Sequence, residues 1–63
     1  MDEIEIRLSA ALMIRRYGDL AEDAAEARVT RAMERDDPER WQVWQRITQA
    51  VRYLRLRPNV GER

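Results

Sequence analysis

Residues 38–56, PERWQVWQRITQAVRYLRL, decide how this chain reads. Asp37 is a good N-cap, and Pro38 suits the first helical position, where a missing N–H costs nothing. Val43, Trp44, Ile47, Ala50, Val51 and Leu54 then recur at helical spacing and fall on one face. Pro58 ends the run, because the residue before a proline is pushed out of the α region. An amphipathic helix of this length must bury its stripe, and the two segments before it have to supply the covering surface.

Working back toward the start, residues 20–35 read as a second helix, with Asp19 at its N-cap. Asp19 and Glu22 have the spacing of a capping box, and Glu22, Asp23 and Glu26 suit a positive helix N-terminus. Its apolar face is mostly alanine (Ala21, Ala24, Ala25, Ala32) with Val29 and Met33. Small side chains let a neighbouring helix come close. Arg28 projects into that alanine face, either snorkelling to water or waiting for an ion pair at an interface. The short link Arg35-Asp36-Asp37 makes the second and third helices antiparallel neighbours.

Residues 4–17, IEIRLSAALMIRRY, read as the first helix, with Gly18 as its stop. Its apolar residues lie on two sides. Ile4, Leu8, Ala11 and Leu12 share one, and Ile6, Ala10, Met13, Ile14 and Tyr17 share the other. A surface helix of a globular protein shows a single stripe. Two stripes imply contact on both sides, which a 63-residue monomer hardly provides. The expected architecture is therefore all-α: helices at about 4–17, 20–35 and 38–56, the last two forming a hairpin with the first packed across it. The domain spans residues 1–57, with 58–63 expected to be a loose tail. Dimerisation would build a larger bundle. On this reading Leu12→Asp should dissociate or unfold the protein.

Composition narrows the chemistry. A chain of 63 residues buries only about 60% of its unfolded surface, so its stability alone is marginal. There is no cysteine and no histidine, so disulfides, zinc sites built from those ligands and histidine acid–base catalysis are excluded. Regular helix packing and oligomerisation are the remaining supports for a small scaffold. No phosphate loop or nucleophile–base pair is visible. No catalytic residue, cofactor site or metal site is assigned, and the expectation is a non-enzymatic protein. The acidic start (Asp2, Glu3) and the absence of a long apolar run point to the cytoplasm rather than a membrane.

All twelve basic residues are arginine, and the net charge is zero. The signs are unevenly spread, however. Asp19, Glu22, Asp23 and Glu26 form an acidic block, whereas residues 40–57 carry five arginines and no acid. Complementary helices, within one fold or between two copies, would explain this, as would a basic patch for an acidic partner. Trp41 lies about 60° around the third helix from Trp44, toward Thr48, Arg52 and Arg55. Aromatics beside arginines are enriched at binding hot spots. The candidate interface residues are thus Ile6, Leu12, Met13, Tyr17, Arg28, Trp41, Thr48, Arg52 and Arg55. Nucleic-acid binding through Arg46, Arg52, Arg55 and Arg57 is the alternative. A pI near 6.2 and arginines scattered around the helix argue against it.

Tyr17-Gly18-Asp19, the alanine-rich helix, the acidic turn at Asp36-Asp37 and the Trp44–Ile47–Ala50–Leu54 stripe resemble a group of short uncharacterised proteobacterial proteins. The similarity covers roughly residues 10–54. The group tends to have histidine where this chain has Tyr17 and glycine where it has Asp36. The resemblance implies an all-helical fold and no particular activity.

Overall fold

The computed structural model describes residues 2–56; the tail expected at 58–63 lies outside them. Helix α1 spans Glu3–Tyr17, α2 Ala21–Glu34 and α3 Pro38–Leu56. Asp2 starts α1: its carboxylate accepts the Glu5 backbone N–H at 3.0 Å. Asp37 caps α3 as expected, accepting from the Arg40 N–H at 3.3 Å. Each cap satisfies a donor that a helix start leaves orphaned.

The junction between α1 and α2 differs from the sequence expectation. Gly18 does close α1, its N–H donating to the Ile14 carbonyl, with φ +56° and ψ −125°. That backbone region is essentially reserved for glycine. The chain then passes straight into a single 3-10 turn, Gly18–Leu20, and on into α2. The helical elements are therefore contiguous from Glu3 to Glu34, 32 residues, with only Gly18 leaving helical geometry. Counted by continuity the described residues form two helices, the first bent at Gly18. The expected capping box does not form: α2 begins without a side-chain cap. Asp19, held within the 3-10 turn, turns its carboxylate to Arg55 instead.

The α2–α3 turn is a Schellman motif. The Asp36 N–H donates to the Met33 carbonyl and the Asp37 N–H to the Ala32 carbonyl, both at 3.0 Å. Asp36 has φ +57°, in the position where glycine is usual. An L-residue there costs about 1–2 kcal/mol. Asp36→Gly is therefore expected to raise stability by about 0.5–1 kcal/mol, read as a higher urea midpoint at unchanged slope.

α2 and α3 run antiparallel: Asp19 meets Arg55, Glu22 meets Arg52, and Ala32 approaches Trp41 at the other end. α1 lies across this pair. The core takes Ile6, Ala10 and Met13 from α1, Ala21 and Ala25 from α2, and Ile47 and Val51 from α3. Ile14, Tyr17, Ala24, Val43, Trp44 and Ala50 pack against it. Ala10, Ala21 and Ala25 are fully buried, so the helices approach closely at the bend. Ile47 and Val51 are the only large side chains among the described residues that are wholly enclosed. Leu54, at the end of the α3 stripe, and Met33 of α2 lie at the surface instead.

Candidate interaction surface

The two sides of α1 have separate fates. Ile6 and Met13 are buried, and Tyr17 is half-buried against the same core, so this side is spent inside the chain. The other side is open. Ile4, Leu8 and Leu12 expose 69%, 59% and 64% of their surface, and Ala11 is exposed beside them. Spaced four residues apart, the three aliphatics form a stripe about 12 Å long. Leu12 also edges a recess lined by Met13, Arg15 and Arg16. Acidic residues occupy the first turn of α1 (Glu3, Glu5) and basic ones the last (Arg15, Arg16). The stripe is thus negative at one end and positive at the other. This polarity also complements the helix dipole.

The remaining candidate residues are brought together within the chain. Arg28 is half-buried and meets no carboxylate among the described residues. Its guanidinium sits 5.1 Å from the centroid of the Trp44 ring, and its Nη2 donates to Tyr17 Oη at 3.2 Å. A cation over an indole face is held by the ring quadrupole. One side chain of α2 thereby ties α1 to α3. The hydrogen bond, and after it the charge of Arg28, lowers the Tyr17 pKa below the ordinary 10.0. A depressed folded-state pKa means the unfolded chain holds more protons between the two values. Stability should therefore rise with pH as Tyr17 ionises, and this share is lost as pH falls back through the folded value. In Tyr17→Phe that alkaline rise should be missing from unfolding curves, while the neutral-pH fold persists.

Arg52 and Arg55 meet the acidic block of their own chain. Arg52 Nε donates to Glu22 at 2.7 Å and its Nη2 to Glu26 at 3.4 Å. Hydrogen bonding to Glu22, then its charge, raises the Arg52 pKa above its ordinary value. Arg55 donates to the Asp19 carbonyl at 2.9 Å and to its carboxylate at 3.0 Å. These pairs are largely exposed and salt-screened, so they align the hairpin more than they stabilise it. Thr48 is buried on the hairpin side of α3 and donates to the Trp44 carbonyl at 2.8 Å. Trp41 lies at the opposite end from Arg55, beside Ala32, Met33 and the turn, with its Nε1 covered and unpartnered. Trp41 and the two arginines therefore do not form one surface.

Of the residues singled out in sequence, Leu12 is the one that faces outward as an apolar contact. Its stripe mates Ile4 and Leu8 are legible in the 4–8–12 spacing as one side of α1, but the spacing does not say which side fills the core. Among the described residues no group of acidic side chains could hold a metal ion, and no helix is long and apolar enough to cross a membrane. Comparison with family models, curated proteins and solved structures finds no match for this chain.

Proposed function

We propose that this chain is a non-enzymatic helical interaction module that pairs with a second copy of itself through the outer face of α1. The observation that carries this reading is the Ile4–Leu8–Leu12 stripe, three large aliphatics standing in water on a helix whose other side already fills the core. The charge polarity of α1 supports an antiparallel arrangement. A parallel pair would set Glu3 and Glu5 of one copy beside the same residues of the other, and arginine beside arginine. Turning one copy around places opposite signs together and makes a closed, isologous contact. In the register that sets Leu8 at the two-fold axis, Ile4 faces Leu12 at both ends, and all six aliphatics meet.

Complete burial of one such side chain contributes about 1.5–3 kcal/mol, so six chains that start roughly two-thirds exposed supply ~6–12 kcal/mol. Association itself costs at least about 4 kcal/mol. The difference, at most ~2–8 kcal/mol, makes a weak dimer rather than an obligate one, and reaches micromolar affinity at its strong end with Ala11 and the arginine stems assisting at the rim. Light scattering across a concentration series tests the reading: molar mass should climb from one to two chains through the micromolar range. A constant single-chain mass contradicts it. Recognition of nucleic acid or of an acidic protein by the third helix is less well supported, because Arg52 and Arg55 already meet carboxylates of their own fold. Arg57 lies outside the described residues.

A further inference from the structure

The turn end of the hairpin carries four arginines and four acids (Glu34, Asp36, Asp37 and Glu39), but the arginines gather around one recess whose lining includes only Asp37. Arg28, Arg31 and Arg35 stand on one face of α2 at spacings of three and four, and Arg40 joins them from the first turn of α3. Together with Ala32, Asp37 and Trp44 they line a recess of about 200 Å³. Asp37 is the lone carboxylate of that lining, and it is already engaged: it caps α3 and pairs with Arg40 at 3.5 Å. Four arginines and one aspartate leave the lining at +3 in a chain whose net charge is zero. Outside the recess Arg7, Arg52 and Arg55 meet carboxylates, whereas Arg15, Arg16 and Arg46 meet none among the described residues. Among the described residues Arg28, Arg31 and Arg35 have no ion pair. Like charges four apart on a helix, such as Arg31 and Arg35, oppose folding.

Arg28 is also fixed in place. Tyr17 from α1 and Trp44 from α3 hold its guanidinium from two sides, and its Nε is covered without a partner. A buried donor left unfilled costs stability, so its own hydrogen bonding does not account for the position of this side chain. A guanidinium held before a ligand arrives loses little freedom on binding, and its planar fork matches the oxygens of a phosphoryl group.

We propose that this recess binds a phosphoryl group, dianionic at neutral pH, carried as free phosphate or on a small organic ester. A single carboxylate would leave most of the +3 uncompensated, whereas a phosphoryl dianion offsets two charges and offers three acceptor oxygens. The site is independent of self-association, since it lies on α2 and α3, away from the outer face of α1.

Titration followed by NMR of the arginine Nε–H resonances tests it. Inorganic phosphate should shift the signals of Arg31, Arg35 and Arg40 saturably, while sodium chloride at matched ionic strength should not. Phenyl phosphate binding more tightly than phosphate would identify an ester as the ligand; equal or weaker binding at the same residues would identify the free anion. The double variant Arg31→Gln/Arg35→Gln alters two exposed side chains and should weaken binding at least about tenfold, the loss of charge-assisted hydrogen bonds. Arg7→Gln/Arg46→Gln removes the same charge around a different recess and should bind as the wild type does. Equal loss in both doubles, or shifts reproduced by chloride, would show diffuse charge screening and overturn the site.

Discussion

Ile47→Ala is expected to cost about 2–5 kcal/mol, the range for removing a large buried aliphatic and leaving a cavity. Ile47 is 2% exposed and sits within a cluster drawn from all three helices. A domain of this size has a total stability of only ~3–9 kcal/mol. Half of the other buried core residues are alanines, whose short side chains cannot swing in to refill the space. The variant should therefore be substantially unfolded at low temperature without denaturant, with lost helicity by circular dichroism and a shallow, early urea transition. Ile47→Val removes a single methylene and should cost about 0.5–1.5 kcal/mol, keeping a cooperative transition. Near-wild-type stability in Ile47→Ala would mean that α3 does not provide the central buried layer.

Leu12→Asp should abolish self-association while leaving the single chain folded. From sequence alone this substitution could equally unfold the protein, because spacing does not say which side of α1 is the core. With Leu12 64% exposed, the cost to the isolated chain reduces to a small loss of helix propensity, a few tenths of a kcal/mol. In the antiparallel pair the new carboxylate would face Ile4 of the other copy and lie near its Glu5, and the two-fold repeats the repulsion. Desolvating an unpaired charge costs several kcal/mol, so the dissociation constant should rise at least about a hundredfold. Light scattering should report one chain at concentrations where the wild type reports two, with the helical spectrum retained. Wild-type mass in this variant would place any interface elsewhere.

Much of the fold could be read from local patterns. The α3 stripe, its Asp37–Pro38 start and the alanine face of α2 each depend on short-range spacing and steric rules that context did not override. The α1–α2 junction was less legible. A glycine before a capping box reads as a full stop, yet Gly18 has the backbone freedom to bend the helix and continue it. Asp19 then finds Arg55, thirty-six residues away, a partner no local rule can identify.

The interaction surface was only half visible for a similar reason. Two apolar stripes on α1 imply two contacts, but the sequence does not say which one the chain fills itself. Ile6, Met13 and Thr48 were candidates for contact and lie inside; Arg52 and Arg55 were candidates and face the acids of α2. The Arg28–Trp44–Tyr17 arrangement joins residues from three helices, so it emerges only once their packing is known. The arginine-lined recess likewise combines positions from two helices that the sequence presents as separate charge runs.

Disulfide trapping addresses self-association through the outer face of α1 most directly, because the chain has no cysteine of its own. Facing helices 8–10 Å apart at about the crossing point bring opposed Cα atoms within disulfide range. Under mild oxidation Leu8→Cys should form covalent dimers rapidly, Ile4→Cys alone should not, and Ile4→Cys mixed with Leu12→Cys should form the mixed dimer. Absence of cross-links in every case, or Ile4→Cys pairing with itself faster than Leu8→Cys does, would contradict the antiparallel pairing of two α1 helices.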